Sequence, residues 1–227
     1  TAISLLKDSW PLILSGIVIS IYMKIDQVMI KEMIDSEAVG QYAAAVRISE
    51  LWYFIPMVIA SSLFPAIINA KKVSEELYYA RLQKLYDLMV WMAIAIALPV
   101  TFLSDWVVNL LYGAQYNQAG SVLMIHIWAG IAVAFGIVWS KWLLIENRQK
   151  MVIVFHLLSM VLNIFLNLYF IPKIGILGAG IATALASLIA QFAGLLFYKR
   201  EIALKFLTNA LFPIHLIKKE QNYETNT

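Results

Sequence analysis

The sequence Ile21–Glu50, IYMKIDQVMIKEMIDSEAVGQYAAAVRISE, decides the fold, because it carries charged residues inside what otherwise reads as two membrane-spanning helices. The charged residues within the helices are Lys24, Asp26, Arg47 and Glu50. A charged side chain in hydrocarbon is costly, so such residues face protein or water and are candidates for function. We therefore expect the rest of the chain to form a scaffold around them.

The composition is that of a membrane protein. Of the 227 residues, 62% are hydrophobic and 14% are charged, and the mean hydropathy is +0.78. Apolar runs of about 20 residues, enough to cross ~30 Å of hydrocarbon as a helix, recur along nearly the whole chain. They are continuous and lack the alternation of barrel strands, so they predict helices. The absence of cysteine excludes disulfides, thiolate nucleophiles and Cys-based metal sites.

Six predicted spans make residues 1–200 an all-α, polytopic membrane helix bundle. We place the spans at about 10–30, 39–68, 85–103, 121–145, 151–171 and 178–198. A polar connector is expected at 70–84, a kink at Pro56 or Pro65, and the end of a helical turn at Gly113. Residues 201–227 are predicted to form a cytoplasmic interfacial helix, at about 202–217, and a polar tail.

The basic residues predict an orientation. With six spans, alternate loops lie on opposite sides of the membrane, and most of the 17 Lys and Arg residues fall on the side that holds the N-terminus. The loops of the other side hold only Lys31 and Lys173. Cytoplasmic loops are enriched in Lys and Arg, so both ends of this chain are expected in the cytoplasm. The same rule explains the basic loops without a nucleic-acid partner.

Lys24 and Arg47 are the candidate substrate-binding residues. At ~1.5 Å rise per residue they lie about 9 Å and about 12 Å from the outer ends of their spans, so they share a depth. Asp26 lies about 200° from Lys24 around their helix, so one of the two must face a neighbouring helix. Glu50 follows Arg47 by one turn. Asp26 and Glu50 are candidates for coupling, and ion pairs that only fix helix packing are the alternative.

A further set of polar residues is expected to line a cavity: His126, His156, Asn163, Asn167 and Gln191. The residues of the fifth span fall within about 20° of one line, and in the sixth span Thr183, Ser187 and Gln191 recur every four residues. Hydrogen bonding between helices accounts for such stripes without a ligand, and ligand binding is the alternative. For His126, a satisfied histidine is the default account and a proton-linked one the alternative.

No catalytic signature is visible in the sequence. It contains no G-x-S-x-G, no H-E-x-x-H and no P-loop, and its carboxylates are not paired within the spans as they are in a protease. We therefore expect no enzymatic activity, no catalytic residues, no metal site and no cofactor.

Four motifs carry a resemblance to a known family: DQVMI in the first span, GQYAAAVRISELWYFIP in the second, LLYGAQY after the third, and NLYFIPKIGILGAGIATALA across the last two. They resemble the C-terminal half of Wzx-type O-antigen and polysaccharide flippases of the MOP (MATE-like) superfamily. The resemblance covers nearly the full chain. It implies one six-helix lobe of a two-lobe transporter with a central cavity, and hence a fragment whose N-terminal six-helix lobe is missing.

The resemblance implies a flippase for undecaprenyl-pyrophosphate-linked oligosaccharide repeat units at the bacterial inner membrane, serving O-antigen, capsule or exopolysaccharide synthesis. Lys24 and Arg47 would attract pyrophosphate or acidic sugars, and Asp26 or Glu50 would couple the cycle to H⁺ or Na⁺. The implied partners are the lipid-linked oligosaccharide, membrane lipids, the missing lobe and, as a further candidate, polysaccharide polymerase machinery. The alternatives are a cation-coupled multidrug or small-molecule exporter of the same superfamily, a polysaccharide polymerase or ligase, and an inactive half.

Overall fold

Helices account for almost all of residues 2–197 and 199–211, the part of the chain that the computed structural model describes. These residues contain no strand, which agrees with the predicted all-α fold. The helices are α1 (Ala2–Met33), α2 (Ser36–Leu51), α3 (Phe54–Val73), α4 (Glu75–Tyr112), α5 (Ala119–His126), α6 (Ala129–Ile145), α7 (Gln149–Ile174), α8 (Ile176–Phe197) and α9 (Arg200–Leu211). A short 3-10 turn, Ala114–Tyr116, precedes α5.

Several helices of the described residues are long and apolar enough to cross a membrane. Four helical stretches meet this condition: Ser36–Val73, Glu75–Tyr112, Ala119–Ile145 and Gln149–Ile174. A shorter apolar stretch follows at Ile176–Gln191. The chain is therefore a multi-pass membrane protein. Six crossings with the bounds given above stay a prediction.

The second predicted span is interrupted one turn before Pro56. Trp52 and Tyr53 separate α2 from α3. Pro56 has no N–H to donate to the Trp52 carbonyl, and its ring clashes with that carbonyl. The Trp52 oxygen instead accepts from the N–H of Ile55 at 3.2 Å. The expected kink is thus found at Pro56, whereas Pro65 lies within uninterrupted α3.

A second interruption separates α5 from α6 and has no proline near it. Ile127 and Trp128 lie between the two helices, and the Trp128 N–H donates to the Ile125 carbonyl, three residues back, at 3.2 Å. The Trp128 indole N–H donates to Thr101 Oγ1 at 3.0 Å. This contact fixes the interruption against α4, two residues after Pro99.

The start of α4 corrects one expectation from the sequence. Ser74 caps the helix, and its side chain accepts from the N–H of Leu77 at 3.1 Å. Two glutamates follow in the first turn, where the helix dipole favours negative charge. The connector predicted at 70–84 is therefore reduced to Ser74, because the residues before it belong to α3 and those after it to α4. Gly113 ends α4 with a φ of 85°, as the sequence predicts.

Two hydrophobic cores lie towards opposite ends of the helices. We call the end where Lys71 and Lys199 both contact Glu146 the basic end, and the end with the turn between α1 and α2 the opposite end. The core of the basic end includes Tyr86, Phe135, Trp139, Trp142 and Phe206. The core of the opposite end includes Ile30, Tyr42, Leu123, Ile171 and Ile176.

Helix α9 packs against the basic-end core. Its buried residues are Ala203, Phe206 and Ala210. The Phe206 ring stacks on the Tyr86 ring of α4, with the centroids 5.1 Å apart. The helix predicted at 202–217 thus begins at Arg200 and uses its apolar face against the protein. Its placement at a membrane interface stays a prediction. Residues 212–227, which hold the end of the predicted helix and the predicted polar tail, lie outside the described residues.

Candidate functional site

Asp26 lies at the centre of a buried network of uncharged hydrogen-bond donors. The residue is 4% exposed. The hydroxyls of Tyr42 and Thr183 donate to its Oδ2 at 2.7 Å and 2.6 Å, and Asn167 Nδ2 donates to its Oδ1. We call these four residues the Asp26 cluster. The cluster joins α1, α2, α7 and α8, so residues far apart in the sequence meet at one carboxylate.

Two asparagines of α7, spaced by one helical turn, hold the donors of the Asp26 cluster in place. Asn163 and Asn167 are one turn apart and fully buried. Asn167 Nδ2 also donates to Asn163 Oδ1 at 3.0 Å, and Asn163 Nδ2 donates to Thr183 Oγ1 at 3.1 Å. Asn163 thereby orients two of the three side chains that donate to Asp26. Both predicted asparagines therefore belong to the buried interface between α1, α7 and α8.

The charge of Asp26 is balanced by hydrogen bonds and not by a cation of the described residues. Its three partners are an amide and two hydroxyls. In addition, Asn167 Oδ1 is buried and has no hydrogen-bond partner in that part of the chain. Buried polar atoms are paired in the great majority of cases, so a buried acceptor without a donor beside a carboxylate is a notable feature. The cluster has more oxygen acceptors than its own donors satisfy.

His126 forms a buried polar contact next to the Asp26 cluster. Its Nδ1 lies 2.9 Å from Ser49 Oγ, and the residue is 3% exposed. The edge of its ring faces Tyr42, with the ring centroids 6.3 Å apart. Tyr42 therefore touches His126 with its ring and Asp26 with its hydroxyl. The hydrogen bond to Ser49 matches the default account of this histidine, and a lining role stays a prediction.

Lys24 and Arg47 lie in an exposed environment, unlike the buried Asp26 and His126. Both are exposed, and neither forms an ion pair or a hydrogen bond within the described residues. Lys24 lies in a shallow, open groove along one face of α1, together with Ile13, Ile17, Ile21, Ile25 and Val28 of the same helix. Asp26 points away from this groove into the protein, in agreement with the angle between the two residues. The groove is thus an apolar helix face with one cation.

Glu50 lies between these two environments. It is half-buried, one turn after Arg47, and the charges of Lys24 and Asp26 both act on it. Among the described residues it forms no ion pair with Lys24 or Arg47. The packing ion pairs that the sequence offered as an alternative are therefore not formed in this structure. The two cations remain available to an anionic ligand.

Gln191 and His156 lie away from Asp26. The Gln191 amide occupies the space where a Cβ on Gly136 would lie, so this side chain packs against α6. Its Oε1 is buried and has no partner in the described chain. His156 is half-buried on α7, and its side chain interacts with other groups of the protein. A role of either residue in lining a substrate cavity stays a prediction.

The sequence did not identify Tyr42 and Thr183 as site residues. Thr183 was recognised as part of a polar stripe, but its contact with α1 was not. Tyr42 precedes three alanines in α2, QYAAAV, and small residues let helices approach closely. A single large side chain with a hydroxyl, next to such a small-residue face, was the feature of the sequence that indicates that Tyr42 reaches a neighbouring helix.

Glu146 is the second carboxylate with several partners, and it lies at the basic end. Its Oε1 accepts from Lys71 Nζ at 2.7 Å and from the Tyr78 hydroxyl at 3.1 Å, and its Oε2 accepts from Lys199 Nζ at 2.9 Å. We call these four residues the Glu146 cluster. Partial burial opposes the charge of Lys199, but the hydrogen bonds and charges of Tyr79 and Glu146 outweigh it and raise the pKa of Lys199.

Comparison with known proteins shows which proteins this chain resembles. Residues 1–71 match a family model described as polysaccharide biosynthesis protein. Over 169 residues the chain is 24% identical to the probable low-salt glycan biosynthesis flippase of Haloferax volcanii; the matched region is 73% of this chain and 35% of that protein. Both matches support the resemblance to polysaccharide flippases. The relatives are named as a flippase and as transporters, and not as enzymes.

Two solved structures share the fold. An outward-facing multidrug resistance MATE family transporter of the MOP superfamily aligns with 89% of this chain and 49% of its own, with a TM-score of 0.57 and 16% identity. A MOP superfamily transporter from Pyrococcus furiosus aligns with 89% of this chain and 50% of its own, with a TM-score of 0.54 and 17% identity. The chain therefore has the fold of about half a MOP transporter.

Proposed function

We propose that this chain is one six-span lobe of a flippase for undecaprenyl-pyrophosphate-linked oligosaccharides in the bacterial inner membrane, with both ends of the chain in the cytoplasm. The flippase would serve O-antigen, capsule or exopolysaccharide synthesis. The observation that carries the proposal is the pair of exposed, unpaired cations Lys24 and Arg47 in helices of a membrane protein. The family model and the flippase relative support the same class of function.

The chemistry of the substrate explains why these cations are unpaired. A lone cation facing hydrocarbon is costly, so Lys24 and Arg47 require water or an anion beside them. The guanidinium of Arg47 is suited to bidentate binding of phosphate, and Lys24 adds a point charge. The groove along α1 offers apolar walls next to Lys24. A pyrophosphate with sugars on one side and a polyprenyl chain on the other fits such a surface, while the chain itself stays in lipid.

Asp26 is the proposed coupling site for H⁺ or Na⁺. Carboxylate, amide and hydroxyl oxygens are ligands that hard cations prefer. A cation beside Asp26 would also give Asn167 Oδ1 the partner that it lacks. No group of three or more His, Cys, Asp or Glu side chains placed to hold a metal occurs in the described chain, so the site would use neutral oxygens around one carboxylate. Glu50, next to Lys24, is the second candidate.

The decisive experiment removes both cations from the complete protein. We expect Lys24→Ala with Arg47→Ala to lower surface polysaccharide by about tenfold or more, since two charge-assisted contacts to the pyrophosphate are lost. The matched control is Lys31→Ala, which removes an exposed cation from the last turn of the same helix. The readout is surface polysaccharide in a strain lacking the native gene, with membrane protein level measured in parallel. Normal polysaccharide in the double variant would contradict the binding role.

A cation-coupled exporter of small apolar molecules is the competing function. The observation in its favour is the groove, whose walls are isoleucine and valine apart from Lys24, Ser20 and Gly16. A strain lacking the protein would then lose resistance to apolar cations while its surface polysaccharide stayed normal. The flippase proposal expects the reverse pattern, so the two measurements in one strain separate the functions.

A further inference from the structure

Three hydroxyls lie one helical turn from the Asp26 cluster, towards the basic end. Tyr22 is four residues before Asp26 on α1, Ser159 is four before Asn163 on α7, and Ser187 is four after Thr183 on α8. Helices α1 and α7 run from the basic end to the opposite end, and α8 runs back. All three residues are therefore displaced from the cluster in the same direction. We call Tyr22, Ser159 and Ser187 the hydroxyl trio.

The hydroxyl trio is buried and incompletely hydrogen-bonded. Ser159 is 7% exposed and Ser187 is 8% exposed. The Tyr22 hydroxyl lies beside both serines and experiences the charge of Asp26, yet it is buried without a hydrogen-bond partner among the described residues. The Ser187 hydroxyl donates to the carbonyl of Thr183 in its own helix. The trio thus places three hydroxyl oxygens one helical turn from the carboxylate of Asp26 and its donors.

The next turn towards the basic end is closed by apolar residues on two of the three helices. Val18 is four residues before Tyr22, and Phe155 is four before Ser159; they are 6% and 5% exposed. On α8 the corresponding residue is Gln191, whose buried Oε1 has no partner in the described chain. The side chain of Gln191 packs against Gly136 of α6, while Val18 and Phe155 close the interface between α1 and α7. The trio is therefore the last polar layer of this interface before the apolar residues on the side of the basic end.

We infer that the hydroxyl trio is the transfer site through which the coupling cation passes between Asp26 and the basic end. This inference rests on the proposed coupling role of Asp26. A hydroxyl both donates and accepts, so a proton that reaches one oxygen can release another proton onwards without a net change in bonding. The same oxygens can hold Na⁺ or a water that carries it. The charge of Asp26 keeps the cation attracted to the trio during the step.

The test uses two tyrosines that differ only in position. Tyr22→Phe removes the hydroxyl of the trio and keeps the ring. Tyr86→Phe is the matched control, because the Tyr86 hydroxyl is also fully buried without a partner in the described chain but belongs to the basic-end core. Neither substitution removes the hydrogen-bond partner of another buried polar group, so both variants should fold.

The measurement is the rate of the tryptophan fluorescence change of the complete, purified protein after a jump in Na⁺ concentration or in pH. We expect Tyr22→Phe to slow the change by about tenfold or more and to leave the equilibrium cation affinity within about twofold, since the residue relays the ion without holding it at rest. Tyr86→Phe should match the unaltered protein. Ser187→Ala, which removes a second hydroxyl of the trio, should also slow the change.

The outcomes separate this inference from the coupling proposal on which it rests. An unchanged rate in Tyr22→Phe and Ser187→Ala, with no response at all in Asp26→Asn, would overturn the transfer site and leave the coupling role of Asp26 intact. Equal slowing in Tyr86→Phe would also overturn it. A full response in Asp26→Asn would overturn both proposals. A response to Na⁺ at fixed pH identifies Na⁺ as the ion, and a response to pH alone identifies H⁺.

Discussion

Asp26 and Glu146 are two carboxylates with several partners whose charges are balanced in different ways. Glu146 contacts two lysines and a tyrosine hydroxyl, so its charge is neutralised by fixed cations of the chain. Asp26 contacts two hydroxyls and an amide, so its charge is spread over neutral donors. A carboxylate held by fixed cations ties helices together. A carboxylate held by neutral donors has no fixed cation beside it, and we propose that a cation binds there reversibly.

The difference also separates the two ends of the molecule. The Glu146 cluster connects the end of α3, the start of α4, the residue after α6 and the residue before α9, all of which lie at the basic end. The Asp26 cluster connects four helices about two turns from their termini at the opposite end. An ion pair at helix ends survives small movements of the helix interiors. We therefore assign a structural role to the Glu146 cluster and propose the coupling role for the Asp26 cluster.

The largest expected effect is that of Asp26→Asn. The substitution removes the negative charge and turns one acceptor oxygen into an NH₂ donor, which faces Asn167 Nδ2 at the Oδ1 position or two hydroxyls at the Oδ2 position. We expect cation-dependent transport to fall to background in vesicles that contain the complete protein. Glu146→Gln is the control, because it also changes a carboxylate with several partners to an amide. If both substitutions reduced transport equally, the proposed division between the two carboxylates would fail.

A smaller effect is expected for Thr183→Val, which keeps the shape of the side chain and removes its hydroxyl. Asp26 then loses one donor and Asn163 Nδ2 loses its acceptor. We expect the Na⁺ affinity to fall by about 10- to 100-fold, the range found for residues that support a ligand at a bound ion. Titration of the purified protein with Na⁺ measures it. An unchanged affinity would show that the Thr183 hydroxyl does not shape the site.

The smallest effect is expected for Glu146→Gln, on stability. Its two lysines are about one third exposed, so the loss at neutral pH should be about 1 kcal/mol. The pKa of Lys199 is raised in the folded protein, so this contribution is complete below the unfolded pKa of about 10.4 and is lost as pH rises through the folded pKa. The stability difference between the two proteins should therefore shrink above about pH 10. A constant difference in unfolding midpoints up to higher pH would contradict this assignment.

The sequence predicted those features that depend on local chemistry. Apolar runs marked the helices, Pro56 marked an interruption, and Gly113 marked a helix end. The angle between Lys24 and Asp26 correctly indicated that the two residues point in different directions. Each of these follows from the geometry of a single helix and needs no knowledge of its neighbours.

The features that the sequence did not predict depend on which helices are neighbours. Asn167 and Thr183 are 141 and 157 residues from Asp26, and helical periodicity does not specify which faces meet. The interruption at Ile127 has no proline and is associated with the contact of the adjacent Trp128 with α4. The helical residues on both sides of Ser74 were not predicted, because a search for apolar runs does not recognise helix ends that carry many charges.

The most direct test of the central claim is the unfolding midpoint of the purified protein as the coupling cation is added at constant ionic strength. A ligand that binds only the folded state at about 100 times its dissociation constant adds about 2.7 kcal/mol of stability. We expect the unaltered protein and Glu146→Gln to gain this stability with Na⁺, and Asp26→Asn to gain none. An equal gain in Asp26→Asn would show that the cation binds elsewhere and would contradict the account.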